Sequence, residues 1–321
     1  MTELYDCIIV GGGPAGLNAA LILGRCLRRV LLCDNGQPRN ARSQALHGFL
    51  TRDGMPPLDL LQTGRDQLRP YDTVTIEHTT VVRISCAGTS FEAALSDGRV
   101  IVARKVLLAT GVIDKLPDVE GLQEMYGRSV FHCPYCDGFE HRGQPLAVYG
   151  DGKSGVGLAL TLSIWSKDIV LCSDGPCDCS RLKSRQMKDR GISVRTDKIS
   201  RLEGDDGMLE RVVFRSGDSL PRKAMFVHTE QRQHSDLAER LGCNITVKRS
   251  VTTGRYEITN VPGLYVAGDA SRDVQLVIVA AAEGAMAAFA INTALLKEDL
   301  GRPAPADEGM PKADESAAAQ K

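Results

Sequence analysis

The sequence has almost no net charge: 39 Lys and Arg against 40 Asp and Glu leave −1 at pH 7. That excludes a general electrostatic attraction to nucleic acid or to an anionic membrane, both of which need a surplus of positive charge. A secretory start is also missing. The opening "MTELYDCIIVGGG" has no basic n-region and no cleavable apolar segment, so a cytoplasmic location is expected. No uninterrupted apolar run spans a bilayer. The most apolar stretch, "VQLVIVAAAEGAMAAFAINTALL", is broken by Glu283 and Gly284 and reads as a buried or half-buried helix. Finally, there is one CxxC, Cys133 and Cys136, and no second CxxC or HxxxH to complete a four-coordinate zinc site. No metal is expected.

What is present suffices for two domains with separate cores: 321 residues, 43% apolar and 25% charged. Ten cysteines in this compartment should mostly be free thiols. Cys7, Cys26, Cys33, Cys86 and Cys243 read as small core hydrophobes.

A β run, "DCIIV", leads into "GGGPAG", the helical stretch "LNAALILGRC" and a second β run, "RVLLCD", ending in Asp34. The plan repeats as "PLAVY", "GDGKSG", "VGLALTLSIW" and "DIVLCSD", ending at Asp174. In each copy the acidic residue lies about 20 residues beyond the last glycine, as in a dinucleotide fold. Gly11 allows the tight turn, Gly13 lets backbone N–H groups approach a pyrophosphate, and Gly16 lets helix and strand pack closely. Pro14 and Ala15 open the helix, whose N-terminal partial charge faces the phosphates. Asp34 is placed for ribose hydroxyls. Gly150, Gly152 and Gly155 form the second set, where Asp174 suits the 2′-hydroxyl of NADH and repels the 2′-phosphate of NADPH. The fold class expected is therefore α/β with two Rossmann-like dinucleotide-binding domains.

The stretch "FHCPYCDGFE" contains the CxxC. A structural disulfide is disfavoured by compartment. A redox dithiol needs a constrained turn and a group to move protons, and Pro134 and Asp137 supply these types. A redox dithiol is the best reading.

"CPYCDGFE" ahead of "GDGKSGVGLALTLS", with "GGGPAG" at the start and "VPGLYVAGDASRDVQ" near the end, resembles the low-molecular-weight thioredoxin reductase family over nearly the whole chain, to about Leu300. The resemblance implies an FAD-dependent disulfide oxidoreductase. The first glycine set, Asp34, Thr110, Gly111, Gly268 and Asp269 would hold FAD, and Gln275, opening the last helix, would approach the isoalloxazine. Cys136 would face the flavin, Cys133 would attack a partner disulfide, and Asp137 would be the acid/base. It further implies a discontinuous FAD domain, 1–114 and 244–300, with an inserted NAD(P)-like domain, 115–243, and a homodimer. The tail, 301–321, has the composition of a disordered segment.

Two departures bear on the electron donor. Where the family's NADPH enzymes carry an arginine-rich stretch, this chain reads "LCSDGPCDCSR", and Glu230 stands where they tend to have glycine. NADPH, NADH and ferredoxin remain open as donors. The chain also resembles flavin dithiol oxidases of small molecules, in which histidine often follows the CxxC, so a small dithiol substrate with oxygen as acceptor is the alternative to a thioredoxin-like protein. Asp137 favours the reductase. Cys172, Cys177 and Cys179 read as a cysteine-rich loop without function, and Trp165 as packing.

Overall fold

The computed structural model describes residues 4–301, so all but the first residue of the expected tail lies outside it. In chain order the elements begin with β1 (Leu4–Val10), α1 (Pro14–Arg25), β2 (Val30–Asp34), α2 (Pro57–Leu68), β3 (Val74–His78) and β4 (Val81–Ala87). Next come β5 (Ser90–Leu95), β6 (Val100–Leu108), β7 (Val112–Lys115), α3 (Leu122–Met125), β8 (Val130–Phe131) and α4 (Pro134–Asp137). Then follow β9 (Leu146–Tyr149), α5 (Gly152–Leu162), β10 (Ile169–Cys172), α6 (Arg181–Asp189), β11 (Ser193–Arg195) and β12 (Ile199–Asp205). The last are β13 (Met208–Phe214), β14 (Ser219–Pro221), β15 (Ala224–Val227), β16 (Glu230–Gln233), α7 (Leu237–Arg240), β17 (Leu264–Val266) and α8 (Val277–Asp299).

The chain divides into two compact units. The first holds the chain up to Gln37, Leu61–Val112 and the chain from Gln233 on; the second holds Pro38–Leu60 and Ile113–Arg232. The chain thus returns at Gln233, ahead of the 244 expected from the sequence. Pro38–Leu60 belongs to the second unit for reasons of charge and close packing. Arg39 pairs with Asp114 at 2.6 Å, and the Arg42 guanidinium donates to the Gln123 carbonyl.

In the first unit β3, β2, β1 and β6 run parallel, and β5 and β4 continue the sheet antiparallel. Strand β6 pairs with β5 along its first half and with β17 along its last residues. The apolar run of β1 is continuous because both faces are covered, as parallel sheets require. Ile8 and Val10 enter one core, while Cys7 and Ile9 enter the other, against α1 and α8. By length and composition alone α8 could cross a membrane. In the fold it lies on α1, with the Asn18 amide donating to the Ala281 carbonyl at 2.6 Å. A Cβ at Gly284 would sit 2.0 Å from the Ala15 carbonyl oxygen. Gly284→Val is therefore expected to cost about 3 kcal/mol, as overpacking does, and to lower the melting temperature in calorimetry. Unchanged melting would contradict this packing.

The second unit repeats the plan. Its parallel sheet has the order β11-β10-β9-β15-β8, with α5 and α6 on one face and the antiparallel β12-β13-β14 sheet on the other. Strand β10 stops at Cys172, so Asp174 lies beyond the strand end, at φ +53°, rather than at it. Among the expected core thiols, Cys7, Cys33 and Cys243 are buried, but Cys26 and Cys86 are exposed.

Candidate active site

The first glycine loop is shaped by contacts that admit no side chain. Gly11 takes φ +112°, and a Cβ at Gly16 would lie 1.9 Å from the Gly11 carbonyl oxygen, so helix and strand ends touch backbone to backbone. Ala109, and Thr110 after it, pack against Gly11, and Gly111 continues the turn at φ +65°. Gly13, the N-cap of α1 with Pro14 at the first helical position and Ala15 buried behind it, has nothing within 4 Å of where its Cβ would be. The loop is closed behind and open in front, which is the cradle a pyrophosphate needs. Asp34 ends β2. Its carboxylate accepts from the Gly36 N–H at 3.1 Å and pairs with Arg65 of α2 at 2.8 Å. The fit to FAD holds, with Arg65 as an added partner that no sequence spacing signalled.

Beside the start of α1, where a Cβ at Gly268 would lie 3.2 Å from the Ala15 Cβ, the turn after β17 is organised by Arg272. Its guanidinium bridges Glu257, which is fully buried, and Glu283 of α8, at 2.6 and 2.7 Å. Glu283 in turn accepts from the Gly268 N–H at 2.7 Å, fixing the turn that carries Asp269. Burial pushes the Glu283 carboxyl up from its ordinary range. Gln275 precedes α8 rather than opening it, since the helix starts at Val277, and its side chain donates to the Arg272 carbonyl at 3.4 Å.

In the second unit Cys133 and Cys136 form a disulfide with Cα atoms 5.3 Å apart. Cys133 is the N-cap of α4, a single turn opened by Pro134 and closed by the Gly138 N–H donating to the Pro134 carbonyl at 2.9 Å. A Cβ at Gly138 would meet that carbonyl at 2.5 Å and the Trp165 ring at 3.0 Å. Trp165 is packing, as read, but packing on the dithiol turn, edge-on to Tyr135 with ring centres 6.0 Å apart. Asp137 is the titrating group here. Burial pushes its carboxyl up to about 7, with His47 pulling it down and Glu140 pushing it further up. His47 stands 3.6 Å from Glu140 and 3.5 Å from Asp53. Because His47 lowers the Asp137 carboxyl, His47→Asn should raise the Asp137 pKa and move any pH limb governed by it upward. A profile that stays put would exclude this coupling.

His132, next to Cys133, sits in a polar network the sequence did not signal. Arg39 can only donate, and it reaches His132 Nε2 at 3.1 Å. Nε2 must then be the acceptor, which assigns the ring proton to Nδ1, donated to the Tyr126 oxygen at 2.7 Å. Tyr126 O–H completes the chain to Asp114 at 3.4 Å. Burial pushes His132 down to about 4, so the ring stays neutral. Burial opposes charge on Asp114 too, but hydrogen bonds from Arg39 and Thr229 overcome it and hold its carboxyl below the usual range.

The second glycine loop joins β9 to α5. A Cβ at Gly155 would lie 2.1 Å from the Gly150 carbonyl oxygen, matching the first loop, and Gly152 takes φ +38° with only the Asp178 carbonyl oxygen nearby, at 3.8 Å. The Asp174 carboxylate accepts from Tyr149 O–H at 3.4 Å. Arg181 and Arg185 of α6 are exposed, and Arg185 is 3.8 Å from Asp189 along the helix, as expected of a solvated face.

Known proteins resemble this chain over most of its length. The family profile "Pyridine nucleotide-disulphide oxidoreductase" matches residues 5–284. A probable thioredoxin reductase of Arthroderma benhamiae is 31% identical over 84% of this chain and 74% of its own. The crystal structure of HlmI superposes with a TM-score of 0.89 at 36% identity, covering 94% of this chain and 96% of that one. A putative thioredoxin reductase TrxB from Bacillus anthracis does so with a TM-score of 0.86 at 34% identity, covering 92% and 99%. Two glycine-loop units and a redox disulfide, matched over this much of the chain, place the protein in the pyridine nucleotide-disulphide oxidoreductase family, as an FAD-dependent disulfide oxidoreductase of thioredoxin-reductase type.

Proposed function

We propose that the enzyme carries electrons from a reduced pyridine nucleotide through FAD and the Cys133–Cys136 pair to the disulfide of a thioredoxin-like protein. The observation that carries this reading is the disulfide on a one-turn helix with Asp137 beside it, its carboxyl near neutrality. Bound FAD supplies the exchange between a nicotinamide hydride and a pair of electrons that opens a disulfide. The chain's residues do the rest. Gly11, Gly13 and Gly16 admit the FAD pyrophosphate, Asp34 the ribose, and Thr110, Gly111, Gly268, Asp269 and Gln275 line the cofactor. Gly150, Gly152 and Gly155 take the pyridine nucleotide. Cys136 would be the sulfur that faces the cofactor, and Cys133 attacks the partner. Asp137 protonates the departing thiolate and takes a proton back when the pair closes. The proposal extends to a cytoplasmic homodimer without nucleic-acid or membrane partners. Exposed Met286, Phe289 and Leu296 on α8 support the dimer, and near-zero net charge supports the absence of nucleic-acid and membrane partners.

As donor, NADH is expected over NADPH, by about tenfold or more in affinity, because the Asp174 carboxylate repels a 2′-phosphate. Anaerobic titration with each nucleotide, following the flavin's visible band, tests both points. Bleaching by NADH ahead of NADPH fits the reading. Bleaching by neither, with dithionite still effective, would hand the donor role to ferredoxin or a small dithiol.

A further inference from the structure

The loop between β10 and α6 holds two thiols that the reaction above does not use. Cys177 and Cys179 stand one residue apart, are half-buried, and both pack beside the core under α5. The Cys179 sulfur also lies 3.1 Å from the Ser184 hydroxyl of α6. The loop holding them is tightly folded: Gly175 takes φ +141°, Ser173 O–H donates to the Gly175 carbonyl at 2.7 Å, and the Asp178 N–H donates to the Pro176 carbonyl at 3.1 Å. The residue between the two thiols, Asp178, is the one whose carbonyl oxygen faces Gly152 in the second glycine loop. Asp174 begins the same loop. Asp178 thus lies both between the two sulfurs and against the second glycine loop. The remaining thiols differ. Burial pushes the Cys7, Cys33 and Cys172 thiols well up, and Cys26 and Cys86 are exposed singly.

We propose that Cys177 and Cys179 are a second exchangeable dithiol, closed to an intrachain disulfide by low-molecular-weight disulfides, and that closure weakens nucleotide binding at Gly150–Gly155. The second half rests on the reading that this glycine loop takes the pyridine nucleotide. The Cys179 thiolate attacks one sulfur of R–S–S–R, the S–S bond breaks, and RS⁻ leaves and takes up the proton that Cys179 lost. The Ser184 hydroxyl is placed to donate to the Cys179 sulfur while it is charged. Cys177 then attacks the Cys179 sulfur of the mixed disulfide, and the second RS⁻ leaves with the Cys177 proton. Two thiols are oxidised and one R–S–S–R is reduced to two RSH. Cys177 suits the second role, since burial and the neighbouring Cys179 raise its thiol pKa and delay its own attack on an outside disulfide. Closure brings the two sulfurs to about 2.05 Å, and Asp178 between them has to move.

The test uses the full-length flavoprotein, in which Cys133 and Cys136 are already paired. Wild type, Cys177→Ser and Cys179→Ser are incubated anaerobically with excess oxidised glutathione, then alkylated and digested. NADH affinity is measured before and after from the fluorescence of Trp165, the only tryptophan. The expected result is a wild-type peptide with Cys177 and Cys179 linked and protected from alkylation, restored by dithiothreitol. NADH affinity should fall at least about fivefold, a typical coupling. It should stay unchanged in Cys179→Ser, with no linked peptide. Thiols that remain alkylatable, glutathione adducts that never resolve to a link, or a link with unchanged affinity would each overturn the proposal. Absence of NADH binding by untreated protein overturns the nucleotide half together with the reading of the glycine loop, and the peptide result separately decides the dithiol.

Discussion

Cys136→Ser is expected to lose disulfide reduction by a factor of about a thousand or more while keeping its flavin. The flavin should remain because every contact of the first glycine loop lies in the other unit, on residues the substitution does not touch. Reduction should fail because α4 offers two sulfurs and no substitute: no third cysteine lies on that turn. Cys133 remains able to attack a partner disulfide, but without Cys136 the mixed disulfide cannot resolve. The variant should accordingly accumulate a covalent complex with the partner, visible on a non-reducing gel, and Cys133→Ser should not. Retention of more than about a tenth of the activity would be incompatible with a proton and electron relay built on this pair.

The second large effect concerns Asp137. Asp137→Asn is expected to slow disulfide reduction by about 100-fold or more, the ordinary contribution of a positioned acid or base. The pH dependence follows from the sign of the shift. Burial raises the carboxyl to about 7 in the folded enzyme, so the proton-donating form is present below that pH and lost above it. The wild-type rate of the step that protonates the leaving thiolate should fall as pH rises through about 7, and the asparagine variant should lack that limb. Stability moves the same way. A carboxyl whose folded pKa lies above its unfolded value makes its full contribution below the unfolded pKa, near 3.9. That contribution is lost as pH rises through the folded value. Asparagine, which cannot ionise, should therefore melt higher than wild type at about pH 8 and not at about pH 4. Equal pH profiles for the two proteins would remove Asp137 from the proton's path.

Much of this molecule was legible in the sequence because periodic patterns have local causes. "DCIIV" followed by a glycine loop and an apolar helix could only be a buried parallel strand entering a dinucleotide fold, and both copies take that form. The dithiol was legible because spacing, Pro134 and Asp137 are adjacent in the chain. What stayed hidden is non-local. Arg65 on Asp34, Arg39 on Asp114 and His132, and His47 near Glu140 are brought together by tertiary packing across dozens of residues. The segment Pro38–Leu60 gives no compositional sign that it belongs with the dithiol unit, since its tie is a few ion pairs and backbone contacts. Glu283 is the instructive case. In sequence it is a polar break in an apolar helix. In the fold it is the carboxylate that holds the Gly268 turn through its N–H and anchors Arg272.

The central claim is that nucleotide-derived electrons reach the Cys133–Cys136 disulfide. The most direct measurement is to add NADH to the flavoprotein without oxygen, quench with an alkylating reagent, and quantify the peptide carrying both cysteines. The account predicts that both sulfurs become alkylated in step with the NADH added, and that neither does without it. A flavin that bleaches while the Cys133–Cys136 disulfide stays closed would contradict it.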